Sequence, residues 1–95
     1  MTDGLPDLQL LESTHVFPCA YPFKVFGTPD HHFVGRVLAA VKSALEESAE
    51  PAFSSRSTPS GRHLCVTIEP IVRDGLQIHE IYRELQKLDG LVLLM

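Results

Sequence analysis

The chain has 95 residues, 44% of them hydrophobic, and sets 12 acidic side chains against eight lysines and arginines for a net charge of −4. That length supports one domain with one modest core, and the composition excludes a disordered chain and the basic face of a general nucleic-acid binder. No apolar run approaches the ~18 residues of a membrane helix. Two cysteines, Cys19 and Cys65, fall in no CxxC or metal-ligand spacing and are read as free thiols of a reducing compartment.

The opening MTDGLPDLQLLE has no positive n-region, carries Asp3, Asp7 and Glu12, and breaks at Gly4 and Pro6, so no signal peptide is expected and a cytoplasmic location is. Residues 1–11 read as a flexible lead-in that tucks Leu8, Leu10 and Leu11 against the body, and residues 12–95 as the single domain. From Val16 to Phe26 the aromatic and β-branched content predicts a strand. Phe17, Cys19, Tyr21, Phe23 and Val25 fall on its core face, and Ala20, Lys24 and Phe26 on the other. Pro18 and Pro22 donate no ladder hydrogen bonds, so its first half should be bulged or paired on one side only. Gly27 then frees the chain to turn.

Thr28-Pro29 predicts a helix start, a capping hydroxyl followed by proline at the first helical position, with Asp30 suiting the positive end of the dipole. Phe33, Val34, Val37, Leu38, Val41, Ala44 and Leu45 repeat at three and four and form one apolar stripe. The helix should fade through Ser48 and stop by Pro51. Phe53 to Thr58 reads as a short edge strand, Pro59-Ser60-Gly61 as a hairpin tip, and His63 to Val72 as a strand in which Leu64, Val66 and Ile68 alternate with Cys65, Thr67 and Glu69. Asp74-Gly75-Leu76-Gln77 has the form of a capping box. The helix it opens places Ile78, Ile81, Tyr82, Leu85 and Leu88 on one stripe. Gly90 suits a left-handed C-cap, and Leu91 to Met95 is a last strand with no polar residue.

The order is β-α-β-β-α-β. Right-handed crossovers and the short link between the middle strands predict an α+β, ferredoxin-like two-layer sandwich, strand order 4-1-3-2, with two helices on one face. The other face should then be open. Phe26 and one side of the last strand, Leu91, Leu93 and Met95, make it partly apolar, which predicts a homodimer or a protein partner.

No acid, base and nucleophile converge, so no enzyme and no catalytic residues are expected. His31 and His32 are adjacent and point about 100° apart on a helix, so they do not chelate as an i, i+4 pair would. His15, His63 and His79 have no fixed partner, and neither metal nor cofactor is expected. Base stacking on the open face would need aromatics where Cys65, Thr67 and Glu69 stand, so nucleic acid is not expected either. The strongest ligand candidate is an anion at the turn, where Gly27 and Thr28 lead into free helix N–H groups and His31 and His32 add donors, although Asp30 opposes it. Lys24, on the open side of a central strand, is the other candidate, with an ion pair to Glu69 as the alternative. Phosphatases on ferredoxin-like folds use this turn with an arginine and a positioned asparagine. The turn has no arginine and the chain no asparagine.

Three blocks, FPCAYPFKVFG (Phe17 to Gly27), PSGRHLCVTI (Pro59 to Ile68) and IYRELQKLDGLVLLM (Ile81 to Met95), resemble the YbeD-like family of small bacterial proteins of unknown function. The resemblance implies a ferredoxin-like fold close to ACT regulatory domains, which bind small metabolites at dimer interfaces, and a lipoate-linked regulatory label. Phe17, Pro18, Lys24, Gly27, Ser60, Gly61 and Tyr82 match the family pattern, while His31-His32 and Arg62-His63 depart from it. The expected function is a non-catalytic regulatory or ligand-binding module for a small anionic metabolite. The alternative is a protein-interaction adaptor that uses the open face and the last strand.

Overall fold

In the computed structural model, which describes residues 4–30, 32–45 and 50–95, the chain is a mixed α+β protein with three helices and two antiparallel sheets. The elements run α1 (Leu8–Thr14), β1 (Cys19–Ala20), β2 (Phe23–Gly27), α2 (Phe33–Leu45), β3 (Ala52–Ser57), β4 (Leu64–Glu69), β5 (Ile71–Val72), α3 (Gly75–Gln86) and β6 (Leu91–Leu94). The main sheet has the order β3-β4-β2-β6, and β1 pairs with β5 as a separate ribbon. The expected end of α2 at Ser48 lies outside the described residues.

Alternation along the central strands decides the layers. Phe23 and Val25 on β2 and Val66 and Ile68 on β4 are fully buried beneath the helices. The register opposes Phe23 to Ile68 and Val25 to Val66, so these four form one apolar floor. Onto it α2 lays Phe33, Val37, Val41 and Leu45, and α3 lays Ile78, Ile81, Tyr82 and Leu85. Both sets recur at three and four residues, which keeps each on a single helical stripe.

Three parts differ from the sequence expectation, the first being that α2 begins at Phe33 and not at Thr28-Pro29. The expected strand from Val16 to Phe26 is divided: Cys19 and Ala20 pair with Val72 and Ile71, and the main ladder starts only at Phe23. Pro22 has no N–H to donate and Pro70 interrupts the partner chain in the same way, so one continuous ladder cannot form. The lead-in, expected to be flexible, instead carries α1 from Leu8. The Asp7 carboxylate caps this helix by accepting from the Leu10 N–H at 3.0 Å, and Leu5 and Leu11 are buried in the core. Pairing of α1 with α3 supplies the surface that buries them, a contact no local pattern announces.

The start of α3 follows the capping box with one shift. Asp74 accepts from the Gln77 N–H at 2.9 Å, while Gln77 Oε1 reaches back to the Arg73 N–H at 2.8 Å rather than to that of Asp74. The Glu12 carboxylate of α1 accepts from the Gly75 N–H, and His79 Nε2 lies 2.6 Å from the Pro6 carbonyl. The N-terminal segment is thereby fastened to the first turns of α3.

Candidate functional site

The turn between β2 and α2 is organised around Asp30. Its carboxylate accepts from the Thr28 hydroxyl at 2.8 Å, the His32 N–H at 2.9 Å, and both terminal nitrogens of Arg36 at 3.4 and 3.2 Å. The Thr28 hydroxyl, followed by the Arg36 guanidinium, holds the Asp30 carboxyl down to about 2 from the usual 3.8. Arg36 also donates to the Asp89 carbonyl at 3.2 Å, and the Thr28 N–H donates to the Gly90 carbonyl at 3.0 Å. Gly90 takes a left-handed φ of +85°, and a Cβ there would stand 2.4 Å from the Thr28 hydroxyl oxygen. This clasp joins the end of α3 to the start of α2.

Thr28 therefore acts on a side chain rather than as a backbone cap. The donors that would greet an anion already face a carboxylate of the chain itself. Gly27 is not a hinge with positive φ. A Cβ at this position would lie 2.1 Å from Cζ of Phe33, so the glycine makes room for a fully buried ring. His31 lies outside the described residues, and His32 is exposed. Lys24 stands apart from the turn, on the far face of the sheet.

That far face is open. Its first row reads Arg56, Cys65, Phe26 and Leu93 across β3, β4, β2 and β6, and the next reads Ser54, Thr67 and Lys24. Reciprocal backbone bonds between Lys24 and Met95, at 3.1 and 2.8 Å, extend the second row. Lys24 Nζ donates to the Thr67 hydroxyl at 3.4 Å, because the register sets Thr67, not Glu69, directly opposite. Cys65 lies on this side, yet is only 4% exposed, since Phe26 and Arg56 flank it on the neighbouring strands. A register shift between Phe26 and Gly27 turns Leu91 toward the helix layer, where it packs on the core with Leu94, so only Leu93 and Met95 of the expected last-strand set remain on the open side.

Two clefts border these elements. One of about 300 Å³ lies at the hairpin end of the open face, lined by Phe26, Arg56, Ser57, Thr58, Pro59 and Cys65. The other, of about 410 Å³, is an open groove between α2 and α3 where Lys87 pairs with Glu84 at 2.8 Å. A chain of rings runs through the body, from His15 by way of Tyr21 and Phe23 to Tyr82, with successive centroids 5.4, 5.1 and 4.9 Å apart. Burial, then a hydrogen bond with Tyr21, pushes the Tyr82 phenol well above the ordinary tyrosine range. Among the described residues no group of three or more histidine, cysteine or carboxylate side chains could hold a metal ion, and no helix is long and apolar enough to cross a membrane.

Sequence reasoning missed Arg36, Glu12 and Arg56. Asp30 and Arg36 stand as opposite charges near one turn, but the second acceptor of the Arg36 guanidinium, the Asp89 carbonyl, is 53 residues further along.

The description "Protein of unknown function (DUF493)" matches residues 12–95. The chain belongs to this family. Relatives of the chain include a "UPF0250 protein" of Shewanella oneidensis, 34% identical over 74 residues, and one of Shewanella amazonensis, 32% identical over 74 residues. Each alignment covers 78% of this chain and 82% of the relative. The resemblance read from the three sequence blocks thus holds at the level of a small bacterial family of unknown function. The solution structure of protein HP0495 from H. pylori superposes with a TM-score of 0.62 at 16% identity, covering 100% of this chain and 93% of that one. Another solution structure of HP0495, from Helicobacter pylori, gives 0.52 at 19%, covering 86% and 91%. At these identities the likeness is one of fold.

Proposed function

We propose that this DUF493 chain is a non-catalytic regulatory module of the cytoplasm that works by association, pairing with a second copy through β6 and the apolar strip beside it. One observation carries the reading: β6 is a sheet edge with no charged residue, and Val92 and Leu93 on it and Met95 just after it are each at least half exposed (54, 51 and 59%). Native edges are usually blunted by lysine, proline or a covering element, and this one has none of the first two. A two-fold axis that pairs β6 with itself opposes apolar residues to apolar residues, which lets two molecules of net charge −4 meet without like charges in contact.

The sheet order supports a ferredoxin-like, ACT-like build. Counting only the main-sheet strands along the chain, β6-β2-β4-β3 reads 4-1-3-2, with α1 and the β1–β5 ribbon added to the 12–95 unit. The non-catalytic reading rests on packing duties, since Asp30 serves the clasp with Arg36, Tyr82 the core, and Cys65 the layer beneath Phe26. The free thiols Cys19 and Cys65 suit a reducing compartment. An anionic metabolite at Gly27, Thr28, His31 and His32 is the weaker reading, because Asp30 already sits among those donors.

Sedimentation velocity tests this. The wild-type chain should form a concentration-dependent dimer, and Leu93→Lys should sediment as a folded monomer. A wild-type chain that stays monomeric at the highest soluble concentration rejects self-association and favours a partner protein's strand at the same edge.

A further inference from the structure

The cleft at the hairpin end of the open face has a composition unlike the rest of the molecule. Residues 51–68, which include β3, the hairpin tip and nearly all of β4, hold Arg56, Arg62 and His63 and no acidic residue, in a chain whose acids outnumber its lysines and arginines twelve to eight. Arg56 is exposed and makes no ion pair with another described residue. Glu69, the acid on the same face, stands opposite Ala52, four residues along β3 or about 13 Å away at ~3.3 Å per residue. It does not neutralise Arg56. Lys24, one row on and two strands across, adds a second positive charge to this side.

Beneath that charge the cleft is mainly apolar. Phe26, Pro59 and the nearly buried Cys65 line it beside Arg56, together with Ser57 and Thr58. Its volume of about 300 Å³ is at the small end of the ~300–1,000 Å³ range of ligand pockets, which suits one ring rather than a nucleotide. The Thr58 hydroxyl is engaged with His63, donating to its carbonyl at 3.3 Å and accepting from its N–H at 3.2 Å, so the hairpin end is held in shape.

We propose that this cleft binds a small aromatic carboxylate, its ring against Phe26 and Cys65 and its carboxylate on the Arg56 guanidinium. The planar fork of arginine matches a carboxylate in two parallel hydrogen bonds, and an apolar wall beside it lowers the local dielectric and strengthens that pair. The inference is separate from self-association, since it uses the β3–β4 half of the face and not the β6 edge.

The test is a titration of amide chemical shifts in the ¹⁵N-labelled chain with phenylacetate, phenylacetamide as its neutral counterpart, and the variants Arg56→Gln and Arg62→Gln. For a ligand of this size a dissociation constant on the order of millimolar is expected. Phenylacetate should shift the amides of Phe26, Arg56 to Thr58 and Cys65 in a saturable way and bind about tenfold more tightly than phenylacetamide. Arg56→Gln should erase that difference while Arg62→Gln keeps it. Absence of saturable shifts at these amides overturns the proposal. Equal binding of the acid and the amide overturns it as well, as does full discrimination retained in Arg56→Gln.

Discussion

Replacing Gly27 by alanine tests the packing argument most directly, because the structure states what the new methyl group meets. It would stand 2.1, 2.4 and 2.5 Å from three carbons of the Phe33 ring. Ordinary carbon contact is about 3.5 Å, so the ring has to retreat by about 1.4 Å or the strand has to move by as much. Phe33 is fully buried and shares its layer with Val37 and Val41, also fully buried, at a density that leaves little room. Overpacking of this kind costs about 1–3 kcal/mol, and three contacts this short place Gly27→Ala near about 3 kcal/mol. That is a large part of the about 5–14 kcal/mol that 95 residues ordinarily provide. Phe33→Leu alone should cost about 1–2 kcal/mol as a partial truncation. The double variant should cost about 2 kcal/mol rather than the sum, because the smaller side chain admits the methyl group. Urea unfolding followed by far-ultraviolet circular dichroism measures all three, a suitable probe since the chain has no tryptophan. If Gly27→Ala matched wild type within about 0.5 kcal/mol, or the two penalties simply added, the steric account of Gly27 would be refuted.

The Asp30 clasp sets a pH dependence. A carboxyl whose folded pKa is depressed stabilises the fold above its unfolded value and loses that contribution as pH falls through the folded one. With Asp30 moved from 3.8 to about 2, the stability margin of wild type over Asp30→Asn should be constant above pH ~5 and close between about pH 4 and pH 2. Denaturant titrations at several pH values check this, and a margin that persists unchanged to pH 2 contradicts it. Leu11→Ala should cost about 2–4 kcal/mol, because a leucine only 4% exposed is removed from the α1–α3 seam. A loss below about 0.5 kcal/mol in thermal unfolding would mean that α1 is not part of the core.

Several features were legible before the structure because they are periodic. The stripes of α2 and α3 could be read at three and four residues, and burial follows them from Phe33 to Leu45 and from Ile78 to Leu85. The alternation of β2 and β4 assigned Phe23, Val25, Val66 and Ile68 to the core and Lys24 to the open side. Gly61 takes the positive φ expected at the hairpin tip, whereas α3 ends earlier than expected, with Lys87 as a right-handed C-cap, so the positive φ of Gly90 serves the turn into β6 and not the cap.

Other features depended on which distant segments meet. Gly27 looked like a flexible turn residue until Phe33 came to lie over it. Thr28 and Asp30 looked like a cap and a dipole charge until Arg36 and the Asp89 carbonyl closed the clasp. Cys65 was placed on the correct face by alternation, but its burial comes from Phe26 and Arg56, neighbours across the sheet rather than along the chain. The same holds for α1, whose seven residues are too short to be stable without the surface of α3. By itself the sequence determined the helical stripes, the two-faced central strands and the turns, since each is an interaction among residues a few positions apart. Tertiary structure alone decided the clasp, the α1 fastening and the Arg56–Phe26 cleft, because each joins groups whose separation along the chain carries no period to read.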